Sequence, residues 1–201
     1  MNQTGTADLR SEHGGVARML NIMDSMAESA RVGEQLDPND LVQTIEFLRV
    51  FVDKCHHTKE EELLFPAIRA ANVTSAEGTI VVLLAEHAQG RRAVARIATV
   101  TQRLADGDEA ASADLAEELG GYTELLHAHI RREEDSCFDV ADRELPAAVQ
   151  AELIEGYGRI ERDVVGGGVH EAFHALLDRL GSTYRAIDAG PAIRGGGTSV
   201  D

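Results

Sequence analysis

The chain has 201 residues, 43% of them hydrophobic, enough to close one core or one core with an appendage. Its formal net charge of −16, its lack of Trp and its 4% aromatic content argue against a nucleic-acid groove, an anionic membrane surface or a platform for stacking bases or sugars. Two cysteines, Cys55 and Cys137, are too few for a disulfide framework and fit reduced, buried thiols in a cytoplasmic protein.

The longest apolar run, residues 80–85, falls far short of a membrane span, and the N-terminus has no basic region followed by an apolar one. Apolar residues recur at helical spacing along almost the whole chain, and strand alternation is nearly missing. The first helix is expected over residues 8–30, with His13, Val16, Ala17, Leu20, Met23 and Ala27 on one stripe. Asp37-Pro38 caps a second helix over residues 38–70, whose seam is Leu41, Ile45, Leu48, Val52 and Cys55. Pro66 should bend or end it. Residues 72–78 read as a loop. A third helix over 79–105 turns Ile80, Leu83, Leu84, His87, Val94 and Ile97 inward, and Asp106-Gly107-Asp108 stops it. A fourth over 111–140 carries Leu115, Leu119, Tyr122, Leu126 and Ile130. Pro146 marks a break before a helix over 147–165, a glycine hinge at 166–168 and a last helix over 169–186. This order predicts an all-α protein: an antiparallel up-down-up-down four-helix bundle over residues 1–144, an added C-terminal helical hairpin over 145–188, and a disordered tail over 189–201.

Two stretches repeat one another. His56-His57-Thr58-Lys59-Glu60-Glu61-Glu62-Leu63-Leu64-Phe65 and His129-Ile130-Arg131-Arg132-Glu133-Glu134-Asp135-Ser136-Cys137-Phe138 each place a Glu four residues and a Phe nine residues after a His. On a helix, positions i and i+4 lie one turn apart on the same face, so each stretch aims one imidazole and one carboxylate at one point. At about 100° per residue, His56 lies roughly 60° from the seam of its helix and His57 roughly 160°. His129 and Glu133 fall within about 40° of theirs. The wheel selects His56/Glu60 and His129/Glu133, with His57/Glu61 as the alternative pair on the second helix. His13 and His87 lie on the inward stripes of the first and third helices. Four imidazoles and two carboxylates aimed into one core would be costly to bury without a cation. Mixed nitrogen and oxygen donors suit two first-row metals, iron or manganese before calcium or magnesium.

With these residues in place, the chain resembles the hemerythrin-like proteins of the HHE cation-binding family. That pattern is a His on helix one, HxxxE on helix two, a His on helix three and HxxxE on helix four. It falls on His13, His56 with Glu60, His87, and His129 with Glu133, and covers about residues 8–142. The resemblance implies a non-haem site of two iron ions, bridged by carboxylates and by oxo groups, with manganese or zinc as alternatives. It further implies a small diatomic or peroxide ligand, with oxygen, peroxide or nitric oxide bound or sensed. Oxygen-carrying hemerythrins have a second His one turn along helix three, where this chain has Arg91. On that comparison a fifth histidine is missing and one metal should be poorer in nitrogen, which favours sensing or peroxide chemistry over oxygen transport.

Rival readings attach to other residues. A catalase-like or nitric-oxide-consuming enzyme would use the same site. His170-Glu171-Ala172-Phe173-His174 spells HExxH, as in zinc hydrolases, but no third ligand follows it. Glu124 and His127 match half of a ferritin-like Glu-x-x-His site. Glu62, Glu134 and Asp135 read as solvated, Lys59, Arg131 and Arg132 as charges balancing the acid run, and Tyr122 as core. The C-terminal helices offer a surface for a homodimer or a protein partner.

Overall fold

Two prolines, one asparagine and a few glycines set where the helices start, turn and stop. The computed structural model describes residues 4–166 and 168–184, apart from the side chains of 164, 165 and 170. The predicted tail over 189–201 lies outside the described residues. Among the described residues there are helices and no strands. The first helix, α1, is Gly5–Arg31. The Asp37 carboxylate caps the next by accepting from the Asn39 amide at 2.8 Å, with Pro38 at the first helical position, where its missing N–H is not needed.

The second long run is one continuous helix of changing pitch: α2 (Pro38–Phe47), a π-helical stretch π1 (Leu48–His57), a second π2 (Glu60–Leu64) and α3 (Phe65–Ala70). Pro66 does not end it. The i→i+5 register of π2 re-phases the ladder just before the proline, which then sits in the first turn of α3 with no α-helical bond to lose. The chain turns instead at Asn72, whose φ of 56° is left-handed, a conformation that asparagine tolerates better than most residues. The following loop is shorter than expected: α4 begins at Thr74 and runs to Ala105. Glu77, assigned to that loop by its sequence, accepts two bonds from Arg69 at 2.8 and 2.9 Å and ties the new helix to the end of α3.

The fourth run is α5 (Ala111–Arg132), π3 (Glu133–Phe138) and α6 (Asp139–Glu144). Leu145 is extended, as the residue before a proline tends to be, and Pro146 opens α7 (Ala147–Ile160). A last π stretch, π4 (Glu161–Val165), leads to Gly166 and Gly168 at φ 81° and 85° and then to α8 (Val169–Thr183). Only glycine takes those angles freely.

The helical bundle forms because α1 packs along α5, α5 along α4, and α2 with π1 against α4. Its core is in two apolar layers. One holds Met19, Leu20, Met23, Leu48, Val52, Ile97, Leu115 and Leu119. The other holds Leu9, Leu64, Phe65, Ile80, Leu83, Cys137 and Phe138. Each of the four runs passes through both layers, and the buried His and Glu residues lie between them. The C-terminal helices pack on α1, α2 and the π segments. Phe173 of α8 meets Phe47 edge-on at 5.1 Å between centroids, while Asp40 accepts from Arg179 at 2.6 Å and from Tyr184 at 2.9 Å. Phe47 is fully buried and joins the hairpin to the bundle. Phe47→Ala should therefore cost about 3–5 kcal/mol, the usual loss for a deleted core phenylalanine, read as a lower urea midpoint at unchanged slope.

Candidate metal centre

Seven ionisable side chains meet between the apolar layers: His13 from α1, His56 and His57 from π1, Glu60 from π2, His87 from α4, His129 from α5 and Glu133 from π3, all of them buried. They form two groups of potential ligand atoms, each within 4.8 Å of one another: His57, His87, His129 and Glu60; and His13, His56, Glu60 and Glu133. The carboxylates stand between the groups. Glu60 Oε1 lies 3.2 Å from His56 Nε2, and its Oε2 lies 3.4 Å from His87 Nε2. Glu133 Oε2 lies 3.3 Å from His13 Nε2 and 3.5 Å from His129 Nε2.

All five rings are oriented in the same sense. Each Nδ1 meets a carboxylate at the outside: His13 to Glu134 at 2.8 Å, His56 to Glu12 at 2.9 Å, His57 to Asp53 at 3.4 Å, His87 to Glu61 at 2.7 Å and His129 to Glu86 at 3.0 Å. An Nδ1–H donated outward leaves the Nε2 of His57, His87 and His129 as bare lone pairs aimed inward, the arrangement that carboxylate partners impose on metal-binding histidines. Cations stand behind this outer ring. Arg91 donates to Asp53 at 2.7 Å and to Glu61 at 2.8 Å, Arg132 pairs with Glu86, and Lys59 pairs with Glu12. The phenylalanines of the repeated stretches cover the site. Phe138 stacks on His13 at 5.3 Å and Phe65 on His87 at 6.1 Å.

The inward atoms are where a cation fits. Both oxygens of Glu60, both of Glu133, and Nε2 of His57, His87 and His129 are buried with no hydrogen-bond partner among the described residues. Nε2 of His13 and His56 face each other at 3.1 Å. Buried polar atoms are nearly always satisfied, so this cluster is left to be completed by something electropositive. The electrostatics agree. Burial and the charge of Glu60 push Glu133 above the usual carboxylate range, a repulsion that a cation between them would remove. Burial favours the neutral form of His57, whose proton affinity is held well down with help from the neighbouring imidazoles. For Glu60, burial is outweighed by the imidazole of His56, and its carboxyl stays ionised below the usual range. Five imidazoles with two carboxylates and no thiolate make a donor set for a first-row metal of borderline character.

The sequence pattern of the hemerythrin HHE cation binding domain matches residues 4–141, which hold all seven residues. The chain belongs to the hemerythrin HHE cation-binding family. Uncharacterized proteins of Mycobacterium bovis and of two Mycobacterium tuberculosis strains are each 28% identical to it over 189 residues, covering 92% of this chain and 70% of theirs. No solved structure matches it.

The structure brings His13, His56, Glu60, His87, His129 and Glu133 of this hemerythrin-like chain together, and adds His57. The helical wheel turned His57 outward because it assumed 3.6 residues per turn; the i→i+5 bonding of π1 advances each residue by less, and both adjacent histidines reach the interior. The expected shortage of a fifth histidine is thereby corrected. One group has three imidazoles and the other two. The His-His doublet beside the acid run was the signal for it. Glu134, expected to be solvated, is the partner of His13. Lys59, expected to balance the acid run, is wholly buried. Glu61 is the outer partner of His87 rather than an inward ligand. Arg91, where oxygen carriers have a histidine, braces two outer carboxylates and lines a cleft of about 260 Å³ that reaches His57, Gly90 and Tyr122.

The rival motifs do not assemble a site among the described residues. His174 is exposed, Phe173 between the two histidines is a core residue, and the His170 side chain lies outside the described residues. Glu124 is exposed, and His127 lies 3.7 Å from Asp24. Cys55 and Cys137 are free and fully buried, outside both ligand groups. Burial pushes the Cys55 thiol up to about 12 and raises Cys137 too, so both are neutral at pH 7. Neither should be alkylated by iodoacetamide in the native protein at neutral pH, and both should react after unfolding, as counted by intact mass.

Proposed function

We propose that this protein is a non-haem di-iron protein of up-down-up-down four-helix design that binds or senses oxygen, peroxide or nitric oxide. The observation that carries the reading is the set of inward Nε2 and carboxylate oxygens left without partners while every Nδ1 is engaged outside. Iron bound there would supply one-electron chemistry and coordination positions for a small ligand.

The chain's own residues account for the rest. Glu60 and Glu133, each facing an imidazole from both groups, would serve as carboxylate ligands to the ions. His57, His87 and His129 would hold one ion, and His13 and His56 the other. The outer carboxylates fix each ring's tautomer and raise its basicity as a ligand. Phe65 and Phe138 exclude water from the ring faces. The family resemblance implies oxygen binding or sensing, a response to iron or redox state, or action on peroxide and nitric oxide, and free, buried thiols fit a reducing cytoplasmic setting. One observation favours the enzymatic alternative, consumption of peroxide or nitric oxide. The Tyr157 hydroxyl is buried without a hydrogen-bond partner among the described residues, and burial with the charges of Glu60 and Glu12 holds its proton on, so it could donate a hydrogen bond to a ligand.

Protein loaded with ferrous iron without air should hold about two metals per chain, as other di-iron carboxylate bundles do. His56→Ala, His57→Ala and Glu133→Ala should each lose at least one of them by elemental analysis, while His174→Ala keeps both. Full iron in the first three variants would sink the assignment. Stopped-flow spectra with oxygen, hydrogen peroxide and nitric oxide then rank the ligands; multiple turnovers of peroxide that Tyr157→Phe abolishes would favour the enzyme.

A further inference from the structure

The segment that matches the family ends at residue 141, yet one cation of the outer ring is held from beyond it. His56 Nδ1 donates to Glu12 Oε2 at 2.9 Å. The other oxygen of Glu12 accepts from the Lys59 ammonium, which also donates to Glu161 Oε1 of π4 at 2.6 Å. Lys59 is completely buried, and Glu12 is 7% exposed. The ammonium lies 5.8 Å from the ring centroid of Tyr157, a buried residue of α7. Two neighbours of this ammonium, Glu161 and Tyr157, therefore come from the C-terminal hairpin, and π4 packs directly on π1, the segment that carries His56. The other braced carboxylates rely on Arg91 and Arg132, which belong to α4 and α5.

We infer that the C-terminal hairpin is a working part of the metal centre: through Glu161, Lys59 and Glu12 it positions His56 and tunes the ion held by His13 and His56. The reasoning is electrostatic. A buried ammonium shared by two carboxylates leaves part of the Glu12 charge for the His56 N–H. Without Glu161 the ammonium keeps Glu12 as its one carboxylate partner among the described residues, beside the neutral Cys55 thiol, and draws that charge away from the imidazole. His56 then becomes a weaker ligand, and the effect falls on one group of the pair. Lys59 and Glu161 are positioning residues, since neither is among the potential ligands.

This inference rests on the proposed metal pair, and cobalt(II) titration of the full chain separates the two. If the wild-type protein does not bind two cobalt ions, the pair itself is wrong. If it does, Glu161→Gln should weaken one equivalent several-fold and leave the other unchanged; removing an outer partner directly, as in Glu12→Gln, costs roughly 10–100-fold. The visible cobalt bands of fully loaded Glu161→Gln should shift as well, and Glu161→Asp should restore them in part. Glu161 is 40% exposed, so its variants are expected to fold. Arg159→Ala, which breaks only the surface pair with Glu155 in the same hairpin, is the control and should match wild type. The inference is overturned if Glu161→Gln superimposes on wild type in affinity and spectrum, or if both equivalents weaken equally together with the melting temperature, the mark of a merely structural hairpin.

Discussion

Placing five imidazoles and two carboxylates in one core, between two layers of Leu, Met and Phe, is the constraint on which the rest of this protein depends. Each group would cost several kcal/mol to bury alone. The fold answers in concentric shells. Imidazole lone pairs and carboxylate oxygens point inward, a ring of acids accepts from the Nδ1–H groups, and Arg91, Arg132 and Lys59 neutralise Asp53, Glu61, Glu86 and Glu12 from outside. A small part of the strongly acidic composition has this internal use. Glu12, Glu61, Glu86 and Glu134 orient histidines; they are not simply a solvated coat.

The backbone carries a second trace of the same constraint. π-Helical turns have poorer hydrogen-bond geometry than α-helix and concentrate at functional sites. Here they coincide with the ligands: π1 ends on His56 and His57, π2 begins at Glu60 and π3 begins at Glu133. A regular α-helix sets two consecutive side chains about 100° apart. The widened turn brings them closer in phase, and His57 joins the interior as the fifth imidazole.

The hairpin beyond the family's segment is built into the same structure. α8 is anchored by Phe173 and by the acceptors of Asp40, and α7 with π4 reaches the buried ammonium beside Glu12. The literal HExxH in α8 is a by-product of this packing. Its central Phe is the anchor and its second His faces solvent.

How much was legible varies with the range of the interaction that decides it. The helical period, the Asp37-Pro38 cap, the Pro146 break and the duplicated His-to-Glu spacing are local, and they were enough to expect an all-helical chain with a candidate metal-ligating set at His13, His56, Glu60, His87, His129 and Glu133. Three things were not local. The inward turn of His57 depends on a change of helical pitch, which residue spacing at 3.6 per turn cannot express. The roles of Glu134, Glu61 and Glu86 depend on which imidazole a neighbouring helix brings beside them. The burial of Lys59 depends on a carboxylate 102 residues further along the chain. Sequence by itself determined six of the seven buried ligand candidates and the helices that hold them. Only the tertiary structure decided how they divide between two groups and what stands behind each, because those are contacts across helices whose phase and pairing no single segment contains.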